Sequence, residues 1–126
     1  MHIISDNDLF QRLVFDNPWW KFTPQTEIHF RHPPKRPFFY SFRTRVLGGG
    51  GHITILAGPL GTGKTVMVHQ MIADLVEGSV SPLAVFYCNV TVPSYTASDI
   101  TVLFEMFCRR YHHNEATELY IFFDEI

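Results

Sequence analysis

Apolar positions follow two rhythms along this chain. In "SDNDLFQRLVFDN", Leu9, Phe10, Leu13 and Val14 recur at helical spacing behind Ser5 or Asp6 as cap, and "NPWW" (17–20) should end that helix. "FFYSFRTRVL" (38–47) predicts a short helix, with Pro37 at its start and Gly48 just past its end. In "KTVMVHQMIADLVEG", Val68, Met71, Ile72, Leu75 and Val76 form one stripe that Gly78 closes. "SDITVLFEMFCRRYHH" predicts another helix, capped by Ser98, with Ile100, Leu103, Phe104, Phe107 and Tyr111 facing inward. Three other runs are short and apolar throughout: "HITILA" (52–57), "LAVFYCNV" (83–90) and "LYIFF" (119–123). These read as strands buried on both faces.

Strand, helix, strand, helix, strand is the order of an α/β fold with a parallel sheet, whose ligands bind at the carboxyl ends of the strands. Between Lys21 and Pro37 the chain is loop-like, broken by Pro24, Pro33 and Pro34. The expected division is an N-terminal helical and aromatic segment, 1–47, and an α/β core, 48–126.

Composition changes this picture little. A chain of 126 residues, 46% apolar and 17% charged, suits one globular domain. A net charge of -2 gives no general attraction to nucleic acid. Residues 21–45 do gather Lys21, Arg31, Lys35, Arg36, Arg43 and Arg45 against Glu27 alone, a pattern read first as a solvated surface. The two cysteines, Cys88 and Cys108, form neither a disulfide framework nor a zinc pattern and read as core residues. The N-terminus lacks the basic start of a signal peptide, and no run nears the roughly 18 apolar residues of a membrane helix. A cytoplasmic setting is expected.

The chemistry lies at two strand ends. Gly58-Pro59-Leu60-Gly61-Thr62-Gly63-Lys64-Thr65 fits G-x-x-x-x-G-K-[ST] at every fixed position. Glycines let the backbone curl so that successive N–H groups point at phosphate oxygens, and the following helix, through Val66, adds its positive end. Lys64 would reach the β- and γ-phosphates and Thr65 would ligate Mg²⁺. Asp124-Glu125 closes the last apolar run. Asp124 would hold Mg²⁺, and Glu125 would polarise an attacking water.

These motifs resemble the AAA-type ATPases, P-loop proteins whose second acidic motif carries a catalytic glutamate. "GPLGTGKT" differs from their usual GPPGTGKT only at Leu60. The chain as a whole resembles prokaryotic AAA-like ATPases with "NPWW" ahead of the phosphate loop, and Asn89-Val90-Thr91 stands where those relatives often carry an acid. The resemblance implies ATP and Mg²⁺ as ligands and ATP hydrolysis by the whole protein. It also implies a five-stranded core, of which three strands can be traced; a sensor strand and a lid would belong to a longer chain. The expectation is therefore a truncated ATPase that binds nucleotide without turning it over. The alternative is a nucleotide-binding interaction or switch module; a small-molecule kinase is disfavoured, because a DE pair suits water as nucleophile. A homo-oligomer or protein partner stays open.

Trp19 and Trp20 would either flank adenine or, the favoured reading, fasten the N-terminal helix. His29 and His32 lack a third ligand for a metal. Arg109, Arg110, His112 and His113 read as cations at the negative end of a helix.

Overall fold

The computed structural model describes residues 5–21, 37–48, 63–78, 80–96 and 99–124. The chain divides into two compact units, Met1–Thr26 with Val80–Ile126, and Glu27–Ser79.

In the first unit, helix α1 spans Asp6–Asp16. Ser5 caps it by accepting from the Asp8 N–H at 3.1 Å, and Asp6 and Asp8 lie in the first turn, where the helix dipole favours acids. Leu9 and Leu13, four residues apart, are its buried face. The helix stops at Asn17, and Pro18–Trp20 form a single 3₁₀ turn.

Strand β1, Val85–Asn89, pairs in parallel with β2, Tyr120–Asp124. The register sets Tyr87 opposite Phe122 and Asn89 opposite Asp124. Strand β1 starts later than the apolar run 83–90 suggests, because Pro82–Ala84 form a 3₁₀ turn capped by Ser81. Pro82 has no N–H to give a ladder, which keeps this end of the run out of the sheet.

Between the strands come α4 (Pro93–Thr96) and α5 (Ile100–Arg110). The cap of α5 is Asp99, whose carboxylate accepts from the Thr101 N–H at 2.8 Å, not Ser98. Both residue types can cap, so sequence alone does not separate neighbours. Leu103 and Phe107 are buried as expected, whereas Ile100, in the first turn, is 38% exposed. The helix ends with His112 in the left-handed region, φ 58°, and the His113 N–H donating to the Cys108 carbonyl. That closure is a Schellman motif with histidine where glycine is usual. His113 Nε2 also lies 2.6 Å from the Leu83 carbonyl.

The core of this unit is aromatic. The Trp20 ring stacks on Phe107 at 5.2 Å and on Phe10 at 6.0 Å, and Phe86 lies 5.1 Å from Phe107. Offset rings at these separations add to the burial of large apolar surfaces, joining α1, β1 and α5. Cys88 is fully buried, as expected of a core thiol; Cys108 is only half-buried.

In the second unit, α2 (Pro37–Leu47) and α3 (Lys64–Glu77) match the two expected helices. The α3 stripe of Val68, Met71, Ile72 and Leu75 is buried, and Met67, Ala73 and Gln70 are buried beside it. Gly78 closes the helix, its N–H donating to the Asp74 and Leu75 carbonyls. The expected strand 52–57 lies outside the described residues. Among the described residues the sheet has two parallel strands, β1 and β2, accompanied by helices.

Candidate functional site

The outer edge of β1 is closed by side chains from the NPWW segment. The Asn17 amide accepts from the Tyr87 N–H at 2.7 Å and donates to the Tyr87 carbonyl at 3.0 Å, forming the pair of bonds a neighbouring strand would form. It also donates to the Leu13 carbonyl at 2.8 Å. The indole N–H groups of Trp19 and Trp20 both donate to the Val85 carbonyl, at 3.0 and 2.7 Å. Residues 85 and 87 of a strand present their backbone groups to the same edge, so those of Phe86 and Cys88 face β2. The tryptophans are buried and their donors engaged, which favours the fastening role.

Asp124 is the last residue of β2 and is 9% exposed. Its Oδ2 accepts from the Tyr87 hydroxyl at 2.8 Å, and its carbonyl accepts from the Val90 N–H at 3.1 Å. Burial first, and then the bond to Asp124, pushes the Tyr87 phenol far above its ordinary range. Beside Asp124, Asn89 turns its side chain back on the chain, its Oδ1 accepting from the Thr91 N–H and hydroxyl at 3.0 and 2.6 Å. This turn gives Asn89 a local structural task. A second buried phenol, Tyr95, donates to Asp16, which also pairs with Arg12 at 3.2 Å.

Tyr87 is the site residue that sequence reasoning passed over. A phenol inside an otherwise apolar strand needs an acceptor, and that need was the available signal. Only the register shows that the acceptor is the carboxylate of Asp124.

The other candidates lie in the second unit. Gly63 has φ 84°, a left-handed conformation that side chains rarely tolerate, and α3 begins immediately after it at Lys64. Gly63 caps the helix without any side chain. Lys64, Thr65 and Val66 are partly exposed, whereas Met67 and Val68 are buried, so the polar groups sit on the accessible first turn. The first-turn N–H groups, an ammonium and a hydroxyl form a donor set that fits phosphate oxygens. Gly58, Pro59, Leu60, Gly61, Thr62 and Glu125 lie outside the described residues, as do His29 and His32.

Among the described residues no group of three or more His, Cys, Asp or Glu could hold a metal ion. No helix among the described residues is long and apolar enough to cross a membrane. Arg109 and Arg110 do lie in the last turn of α5, where cations oppose the dipole, and Arg110 sits 5.9 Å from the Phe10 ring centre.

A family model described as an AAA domain matches residues 50–126, more than half of the chain. No curated protein and no solved structure matches it.

Proposed function

The chain belongs to the AAA domain family, and from that premise we propose that it binds ATP with Mg²⁺ and that residues 48–126 are the ATPase core. A nucleotide-binding, ATPase-type role in general comes with family membership. In the proposal, residues Gly58 to Val66 cradle the phosphates through backbone N–H groups, and Lys64 neutralises the β- and γ-phosphates. Thr65 and Asp124 would each offer an oxygen to Mg²⁺, and Glu125 would accept a proton from the attacking water. Bound Mg²⁺ would neutralise charge on the nucleotide's phosphates.

The observation that carries the reading is the start of α3. A left-handed Gly63 delivers Lys64 and Thr65 on the partly exposed first turn of a helix whose apolar stripe is buried. A loop of ordinary structural glycines has no reason to place a lysine and a hydroxyl there.

Titrating the chain and its Lys64→Ala variant with ATP tests this. Removing a charge-assisted contact worth about 1.5–3 kcal/mol should weaken binding by roughly tenfold to a hundredfold. Equal affinities would sink the nucleotide reading. Glu125→Gln should leave ATP affinity unchanged, since the role proposed for Glu125 begins only after the nucleotide is bound.

A further inference from the structure

The Tyr87 hydroxyl donates to the carboxylate that the proposed function makes a metal ligand. We propose that Tyr87 is a positioning residue for Asp124, itself held in place by Asn17; this rests on the reading of Asp124 as a Mg²⁺ ligand. Asp124 is the last residue of β2, and its backbone is tied to β1 through the Val90 N–H, which leaves the setting of its carboxylate to side-chain contacts such as that from Tyr87. A carboxylate on a short flexible side chain has several orientations, and a ligand for Mg²⁺ needs one. Tyr87 lies two positions before Asn89, the register partner of Asp124, so both side chains leave the same face of the sheet. The phenol crosses that diagonal and donates to Oδ2 at 2.8 Å.

The tyrosine is itself fixed on two sides. Its backbone N–H and carbonyl are both bound by the Asn17 amide, and its strand neighbours pair with β2. Tyr87 is 5% exposed and Asp124 is 9% exposed, so the bond is shielded from water and works at low local dielectric. The chain of contacts therefore runs from the NPWW segment through one residue of β1 to the acid at the end of β2. Partners of this kind outside the coordination shell orient metal ligands, and losing one typically costs tenfold or more in metal affinity.

A purely structural bond would have the same geometry, with Asp124 serving only to satisfy a buried phenol. Metal dependence separates the two. ATP binding is measured on the chain, on Tyr87→Phe and on Asp124→Asn, in EDTA and across a Mg²⁺ titration, with tryptophan emission checking the fold. In Tyr87→Phe the Mg²⁺ concentration for half-maximal enhancement of ATP binding should rise about tenfold, with affinity in EDTA unchanged. Replacing Tyr87 by para-aminophenylalanine, which keeps the ring and an N–H donor, should restore much of the shift; it also carries the test if the phenylalanine variant fails to fold. An unmoved midpoint in Tyr87→Phe, with a shifted one in Asp124→Asn, would overturn the positioning role and leave the metal ligand standing. Equal loss in EDTA and in Mg²⁺ would also overturn it, as a structural effect. An unmoved midpoint in Asp124→Asn would remove the metal-ligand reading and this proposal together.

Discussion

Replacing Asn17 by alanine should cost more stability than the loss of any exposed polar residue in this chain. Asn17 is fully buried and serves three backbone groups. Alanine leaves the Tyr87 N–H and carbonyl facing the cavity of the lost amide. The Leu13 carbonyl suffers less, since it still accepts from the Asn17 backbone N–H at 2.9 Å. Each orphaned buried group costs about 1–3 kcal/mol, so the two on Tyr87 set an expected loss of roughly 2–6 kcal/mol. For a chain of this size a loss near 3 kcal/mol lowers Tm by roughly 10 °C. Urea unfolding monitored by tryptophan emission gives the same quantity without depending on reversible melting. Asn17→Asp separates hydrogen bonding from cavity formation. It keeps an acceptor for the Tyr87 N–H but sets a buried charge against two carbonyl oxygens. At neutral pH it should be at least as damaging as alanine. Its stability should recover as pH falls, because a protonated carboxyl regains a donor; the alanine variant should show no such recovery. A loss for Asn17→Ala within about 0.5 kcal/mol of zero, the range of neutral surface changes, would refute the reasoning.

Two further outcomes depend on burial. Burial pushes the Cys88 thiol up to about 11, whereas Cys108 is half-buried, so alkylation of the folded chain near pH 8 should label Cys108 and spare Cys88 until the chain unfolds. Peptide mapping reads this directly, and early labelling of Cys88 would show that its strand is not packed as described. The phenols of Tyr87 and Tyr95 are raised by burial and then by their bonds to Asp124 and Asp16. A phenol raised on folding stabilises the fold fully below its unfolded pKa and loses that contribution as pH climbs above it. Stability should therefore hold from neutral pH to about 9 and decline beyond about 10. Phenolate absorbance from these two residues should appear together with unfolding, and their ionisation within an intact fold would contradict the burial.

Most of the elements were legible because their apolar residues keep a strict period. Stripes such as Val68, Met71, Ile72 and Leu75 can be satisfied only by a helix with one covered face. "VFYCN" is buried nearly throughout and has little use outside a strand. Boundaries were less legible, because they turn on single hydrogen bonds. Asp99 caps α5 beside a serine equally able to do so, and Pro82 holds back a strand whose apolar run continues. For the candidate site, sequence spacing named Lys64, Thr65 and Asp124 but was silent on Tyr87. Which side chain reaches Asp124 depends on the register between β1 and β2, and those strands are about thirty residues apart in the chain.

The fastening role of the NPWW tryptophans was the favoured reading, but that the segment covers a strand edge was out of reach for the same reason, and register supplies it. An open strand edge invites pairing with another chain, and proteins usually cover it with another element or blunt it with charge. Here three side chains from four consecutive residues do the covering. Val85 and Tyr87 are two apart, so their backbone groups reach the same edge, and Asn17, Trp19 and Trp20 meet them there. The aromatic rings then anchor the plug: Trp20 lies against Phe10, Phe86 and Phe107, so detaching it exposes much of the core of its unit. An edge sealed in this way resists an added strand and resists slippage of β1 along β2, since a one-residue slip would carry Tyr87 off Asn17 and off Asp124 at once. A segment that could pass as a surface aromatic patch thereby fixes both the limit of the sheet and the setting of its terminal acid.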